Sequence, residues 1–145
     1  MKNFDLFLDL TRIKKPIGFM LLFWPCLWGL TLAFQFSNNN YVFLKHCLLF
    51  FGGAVLMRSA GCIVNDILDR KIDAMVDRTK SRPIASGKIS VQKSLMYVFF
   101  LCLCAFIILI QFNQNTILLG LASMPFAFSY PLMKRFTYWP QLFLG

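Results

Sequence analysis

The stretch VFLKHCLLFFGGAVLMRSAGCIV (residues 42–64), followed without a break by NDILDRKIDAMVD (residues 65–77), decides how this chain is read. The first part is long and apolar enough to cross roughly 30 Å of hydrocarbon, which takes about 20 residues as a helix. Its one deep charge is Arg58. The second part holds every acidic residue of the chain except Asp5 and Asp9, and there is no Glu anywhere. A lipid-crossing helix that ends in carboxylates is the core of the reading.

Outward from it, three more runs have the length and apolarity of a span: Pro16–Phe36, Val91–Phe112 and Thr116–Met133. A fifth begins at Trp139 and reaches Gly145. The expected architecture is therefore all-α, a multi-pass transmembrane helical bundle of about four complete spans and the start of a fifth, forming one unit over residues 1–145. Composition agrees. Of the 145 residues 58% are hydrophobic, 17 are Phe and only 14% are charged, with a mean hydropathy of +0.63. Soluble domains are nearer 45–50% apolar and about 25% charged.

The net charge of +9 does not point to nucleic acid, because the basic residues punctuate apolar runs instead of lining a soluble surface. Lys2, Arg12, Lys14 and Lys15 precede the first span, and Arg70, Lys71, Arg78, Lys80, Arg82 and Lys88 fill the long connection after the second. Lys134 and Arg135 close the fourth, whereas residues 37–41 and 111–115 carry no Lys or Arg. The positive-inside rule puts the N-terminus, the Asp-rich connection and the Lys134-Arg135 turn on the cytoplasmic side of an inner membrane. Lys45 is the exception and can snorkel. Pro25, Pro125 and Pro131 are tolerated as kinks within a bundle. The five cysteines lie in or beside apolar runs without a paired spacing, so free thiols are expected. No cleavable leader is expected, since the apolar run after Lys15 is too long.

In the acidic stretch Asn65, Asp69 and Asp73 recur every four residues, and Asp66 joins their face if the helix continues. Like charges on one face repel, and a divalent cation would turn repulsion into chelation. Oxygen ligands without Cys or His select Mg²⁺, which takes one or two carboxylates together with water and phosphate oxygens. The plainer reading, a solvated helix end whose acids pair with Arg70, Lys71 and Arg78, stays open at this point. Nearby Arg78, Arg82, Lys134 and Arg135 suit a diphosphate, and inside-positive topology alone would also put them there. Arg58 differs, because a charge at that depth is costly and more often functional. From the residues alone, a small four-span ion or lipid carrier is also compatible.

The ordered runs Asn65-Asp66-x-x-Asp69-x-x-x-Asp73, Arg12-x-x-Lys15-Pro16, Trp24-Pro25, Leu56-Met57-Arg58-Ser59, Arg78-Thr79-x-x-Arg82-Pro83 and Tyr130-Pro131-x-x-Lys134-Arg135 resemble those of the UbiA superfamily of intramembrane prenyltransferases. The likeness is nearest to its hydroxybenzoate branch in ubiquinone biosynthesis. The resemblance implies Mg²⁺ as cofactor, polyprenyl diphosphate and 4-hydroxybenzoate as substrates, and membrane lipid as surroundings. It implies Asp66, Asp69 and Asp73 as catalytic carboxylates, with Asn65, Asp69 and Asp73 toward the metal. Arg12, Arg58, Arg78, Arg82, Lys134 and Arg135 are implied to bind substrate. Acceptors such as a dihydroxynaphthoate or haem are the same-superfamily alternatives. The family also carries a second Asp-rich motif, and no acid follows Asp77. The chain is accordingly expected to be the N-terminal half of such a domain, with little activity unless a complementary C-terminal half is supplied.

Overall fold

The computed structural model describes residues 2–136; Met1 and residues 137–145, and so the expected fifth span, lie outside the described residues. Among the described residues every regular element is an α-helix, in the order α1 (Lys2–Thr11), α2 (Ile17–Ser37), α3 (Asn40–Met75), α4 (Val91–Leu109) and α5 (Gln114–Phe136). The apolar runs fix where the helices lie, and local chemistry fixes their ends. Asn39 caps α3 by accepting from the backbone N–H groups of Tyr41 and Val42. Ser90 does the same for α4 through Lys93. Asn38 closes α2 in a left-handed conformation, its N–H donating to the Phe34 carbonyl.

Three helices, α2, α3 and α4, are long and apolar enough to cross a membrane among the described residues. The expected fourth span falls on α5, whose 23 residues give it the length. Some side chains in its last turns, those of Lys134 and Arg135 included, lie outside the described residues. α4 stops at Leu109, short of the expected Phe112. Gln111 and Phe112 donate instead to the carbonyls three residues back, and the chain turns into α5. There the Asn113 side chain accepts from the Thr116 N–H. With 36 residues, α3 is about 54 Å long at 1.5 Å per residue, so it crosses the hydrocarbon and projects well beyond it. The acidic stretch is thus helical to Met75, the condition on which its spacing was read as one face.

α3 is the hub: each of the other helices packs on it, and α4 also meets α5. α1 was not anticipated from the sequence. Its signal is a short amphipathic pattern, in which Leu6, Phe7 and Leu10 turn inward while Asp5 and Asp9 stay exposed. The buried core joins Leu10 of α1, Ala60, Ile63 and Ile67 of α3, Leu101 of α4, and Ile84 and Ile89 of the 76–90 connection. It sits at the end of the bundle where α1 and that connection fold over α3. Elsewhere large apolar side chains such as Trp28 and Phe99 face outward, which is stable in hydrocarbon and costly in water. The molecule is a multi-pass membrane protein whose own core is concentrated at one end.

Candidate functional site

Around a helix at roughly 100° per residue, Asp66 and Asp73 lie within about 20° of each other and Asn65 and Asp69 within about 40°. By the same count Asp69 lies about 40° from Asp73, so the four share one face about 100° wide, as the spacing predicted, and burial alone sets the Asp66–Asp73 strip apart. The Asp66–Asp73 strip turns inward, with Asp66 2% and Asp73 7% exposed. Asn65 and Asp69 are half-buried on the neighbouring strip.

Two arginines from distant parts of the chain meet the inward strip. Arg12 donates through Nη2 to Asp66 Oδ1 at 2.5 Å. Arg82 donates through Nη1 to the same oxygen at 3.2 Å and to Asp73 Oδ2 at 2.7 Å. Two carboxylates nearly cut off from water are thereby matched by two arginines that stay partly exposed, the pairing under which buried ions are tolerated.

Local structure brings each arginine there. α1 ends at Thr11, whose hydroxyl donates to the Phe7 carbonyl at 2.8 Å. Arg12 then takes a left-handed backbone conformation with φ of 53°, and the Lys15 N–H donates to its carbonyl. That reversal sends the chain into Pro16 and α2 with the Arg12 side chain directed at α3. On the other side, the Thr79 hydroxyl donates to the Asp73 carbonyl at 3.0 Å. The Arg82 N–H donates to the Thr79 carbonyl, while Ile84 and Ile89 anchor the rest of the connection in the core.

The remaining expected residues divide. Arg58 is exposed along the bundle, with its guanidinium lying directly over Gly18 of α2. Arg78 is exposed on the connection. The side chains of Lys134 and Arg135 lie outside the described residues. Among the described residues Asp66 and Asp73 pair with Arg12 and Arg82, and exposed Asp77 with Lys80 at 2.8 Å, in place of the plainer pairing of these three with Arg70, Lys71 and Arg78. Spacing alone could not find the Arg12 pair, which closes across 54 positions.

Among the described residues no three acidic, His or Cys side chains converge as a metal cage. The donor chemistry still fits Mg²⁺ brought with a diphosphate, because that ion needs only one or two protein oxygens beside phosphate and water. Asn65 and Asp69, one turn apart, offer an amide and a carboxylate oxygen. Further along the helices Phe19 and Phe23 of α2 meet Phe51 of α3 edge-on, at 5.8 and 5.4 Å between ring centres. A cavity of about 390 Å³ opens between α2, α3, α4 and α5, lined by Leu22, Met57, Phe106, Leu109, Phe112 and Met124 among others.

The UbiA prenyltransferase family matches residues 22–145. The chain is 46% identical over 139 residues to a 4-hydroxybenzoate octaprenyltransferase of Hydrogenovibrio crunogenus, covering 96% of this chain and 47% of that protein. It is 48% identical over 136 residues to the mitochondrial 4-hydroxybenzoate polyprenyltransferase of Arabidopsis thaliana, covering 94% of this chain and 33% of that one. A 4-hydroxybenzoate octaprenyltransferase of Nitrosomonas eutropha is 45% identical over 144 residues, with coverages of 99% and 49%. The chain thus spans a third to a half of the length of these relatives. No solved structure matches. The chain belongs to the UbiA prenyltransferase family.

Proposed function

We propose that this family member supplies the diphosphate-binding half of a 4-hydroxybenzoate polyprenyltransferase, which moves a polyprenyl group from its diphosphate to the ring of 4-hydroxybenzoate for ubiquinone synthesis. The observation that carries the reading is the identity of 45–48% over nearly the whole chain to proteins named for that activity. The charged mouth of α3 supports it, since paired arginines beside an amide–carboxylate strip suit a metal-bound diphosphate.

In this reading Asn65 and Asp69 hold Mg²⁺, which when bound supplies charge neutralisation to the leaving diphosphate. Arg12 and Arg82, with Arg78, Lys134 and Arg135 at the rim, address the remaining phosphate oxygens. The allylic C–O bond breaks with its electron pair on the diphosphate. The Phe-rich walls keep water from the resulting carbocation, and ring faces stabilise it. The ring carbon ortho to the acceptor hydroxyl attacks the allylic carbon and then loses its proton to the departed diphosphate. Arg58, deeper along α3, binds the acceptor carboxylate, and the apolar cavity receives isoprene units. The end bearing Arg12 and the 76–90 connection faces the cytoplasm of an inner membrane, because basic residues gather there while residues 37–41 and 111–115 have none.

A complementary C-terminal half completes the bundle in this proposal. The test reconstitutes the chain in lipid with Mg²⁺, polyprenyl diphosphate and 4-hydroxybenzoate, alone and with the C-terminal half of a relative. Prenylated 4-hydroxybenzoate is expected when both halves are present, and little from the chain alone. No product from the pair, or preferential product from a dihydroxynaphthoate, would overturn the assignment.

A further inference from the structure

We propose that the chain carries a second ligand site, at the end of the bundle away from the charged mouth, which takes a neutral hydroxylated aromatic ring (a phenol or quinol) whose isoprenoid tail runs into the inner apolar cavity. The site is regulatory, because a molecule held there fills the room that the substrate's own tail needs. That consequence rests on the reading above that the inner cavity receives isoprene units. The site itself stands on its own geometry.

A cavity of about 500 Å³ lies where the last turns of α2 and the first turns of α3 meet the 110–113 connection and the start of α5. Its walls are aromatic. Phe34 of α2 meets Phe43 of α3 edge-on at 5.2 Å between ring centres, and Phe50 of α3 meets Phe112 of the connection at 4.6 Å. Such walls favour a flat ring, which adds edge and offset contacts to the apolar area it buries. Three polar side chains, His46, Asn113 and Thr116, line the same space, and their bonds show what they have to offer. His46 Nδ1 lies 2.7 Å from the Val42 carbonyl. A carbonyl only accepts, so in the neutral ring the hydrogen is on Nδ1 and Nε2 is an acceptor. Asn113 spends Oδ1 on the Thr116 N–H at 2.9 Å, which leaves its amide N–H donors. An acceptor and a donor in one cavity match a hydroxyl, which gives one hydrogen and accepts another. None of the described residues lining the cavity is Lys, Arg or Asp, so a carboxylate or diphosphate would be desolvated there without a counter-ion. The guest is therefore neutral, unlike either substrate of the charged mouth. Cys26, Phe50, Phe112 and Thr116 line this cavity and the inner one alike, so a tail passes between them along the Phe50–Phe112 pair. The ring end lies near the ends of α2 and α3, at Ser37 and Asn40, the level at which a molecule with a wet tip and an apolar body rests in a bilayer.

The experiment measures equilibrium binding of radiolabelled 2-geranylphenol to the 145-residue chain in phosphatidylcholine nanodiscs, against empty nanodiscs. Three competitors dissect the recognition: the methyl ether of the same phenol, farnesol, which has tail and hydroxyl but no ring, and 3-geranyl-4-hydroxybenzoate, which adds a charge. The phenol is expected to bind saturably and each competitor about tenfold more weakly. His46→Phe keeps a ring and loses the acceptor; it should weaken the phenol about tenfold and leave the ether unchanged. Gly29→Leu is the second variant. Gly29 lines the cavity and a Cβ built on it meets nothing within 4 Å, so leucine fills the space without moving the backbone and should abolish saturable binding. In the two-half assay 2-geranylphenol should raise the KM for polyprenyl diphosphate with kcat unchanged, and that rise should be lost in His46→Phe. The site is overturned if the phenol does not saturate, if the ether, farnesol or the carboxylate binds as well as the phenol, or if both variants bind like wild type. Equal binding of the ether and farnesol would mean that the cavity takes any lipid chain. Intact phenol binding with an unchanged KM would overturn the regulatory consequence. If the paired halves make no product at all, the prenyl-transfer reading fails by itself, and binding alone decides whether the site exists.

Discussion

Gly18 of α2 and Arg58 of α3 share one volume: a Cβ built on Gly18 would lie 2.6 Å from Arg58 Nε and 3.3 Å from its Cζ. The guanidinium rests on the backbone of the neighbouring helix, so the glycine sets how far that cation lies toward α2. The substitution Gly18→Ala forces the far end of a flexible side chain to move, and the backbone can stay where it is. Stability should change by no more than about 0.5 kcal/mol. If Arg58 binds the acceptor carboxylate, the KM for 4-hydroxybenzoate in the two-half assay should rise by about tenfold, the equivalent of about 1.4 kcal/mol. An unchanged KM would remove Arg58 from the acceptor site.

Arg12 carries two effects that substitution can separate. Arg12→Ala and Arg12→Gly both delete the cation facing Asp66, but only glycine adopts a φ of 53° without steric cost. Denaturation in detergent should find the glycine variant more stable than the alanine variant by about 1 kcal/mol. Equal stabilities would mean that the chain reversal after α1 relaxes once the ion pair is gone.

Arg82→Lys keeps the charge and loses the planar fork. Arg82 Nη1 lies 3.2 Å from Asp66 and 2.7 Å from Asp73, and a lysine ammonium, whose overall reach is shorter, will not hold both with the same geometry. Because Arg82 is 28% exposed, water screens part of the loss, and thermal unfolding should register about 1–2 kcal/mol. Arg82→Gln should cost more, since Asp73 then faces no cation.

Asp77 offers the contrast. Its side chain is 98% exposed and pairs with Lys80 three residues on, a surface arrangement that contributes little. Asp77→Asn should leave unfolding, trypsin sensitivity of the connection and pyrophosphate binding indistinguishable from wild type. A loss of metal-dependent binding would add Asp77, which follows the end of α3, to the proposed metal site.

The helices were legible because lipid demands long apolar runs, and Val42–Val64 with its acidic continuation predicts α3 nearly from end to end. α1 escaped because Lys2–Thr11 is too short and too mixed for a span, and its apolar side matters only once α3 and α4 are beside it. The site was half legible. The four-residue spacing of Asn65, Asp69 and Asp73 revealed a shared direction along α3. It could not reveal that Asp66 and Asp73 turn toward the core, because that depends on where the 76–90 connection folds. Nor could local spacing match Asp66 to Arg12; Arg70 and Lys71, left open as nearby partners, remain exposed.

The closure of Arg12 onto Asp66 bears on how the polypeptide is made. α1, which is made before α3, finds its seat only after α3 has crossed the bilayer and Ile84, Ile89 and Leu101 have emerged to complete the surface under Leu10. Until then α1 has an apolar side with nothing to cover it, beside a headgroup layer that can shelter it. Assembly of the charged mouth is therefore a late event in biogenesis, timed by insertion of α4 and not by synthesis of the arginine itself.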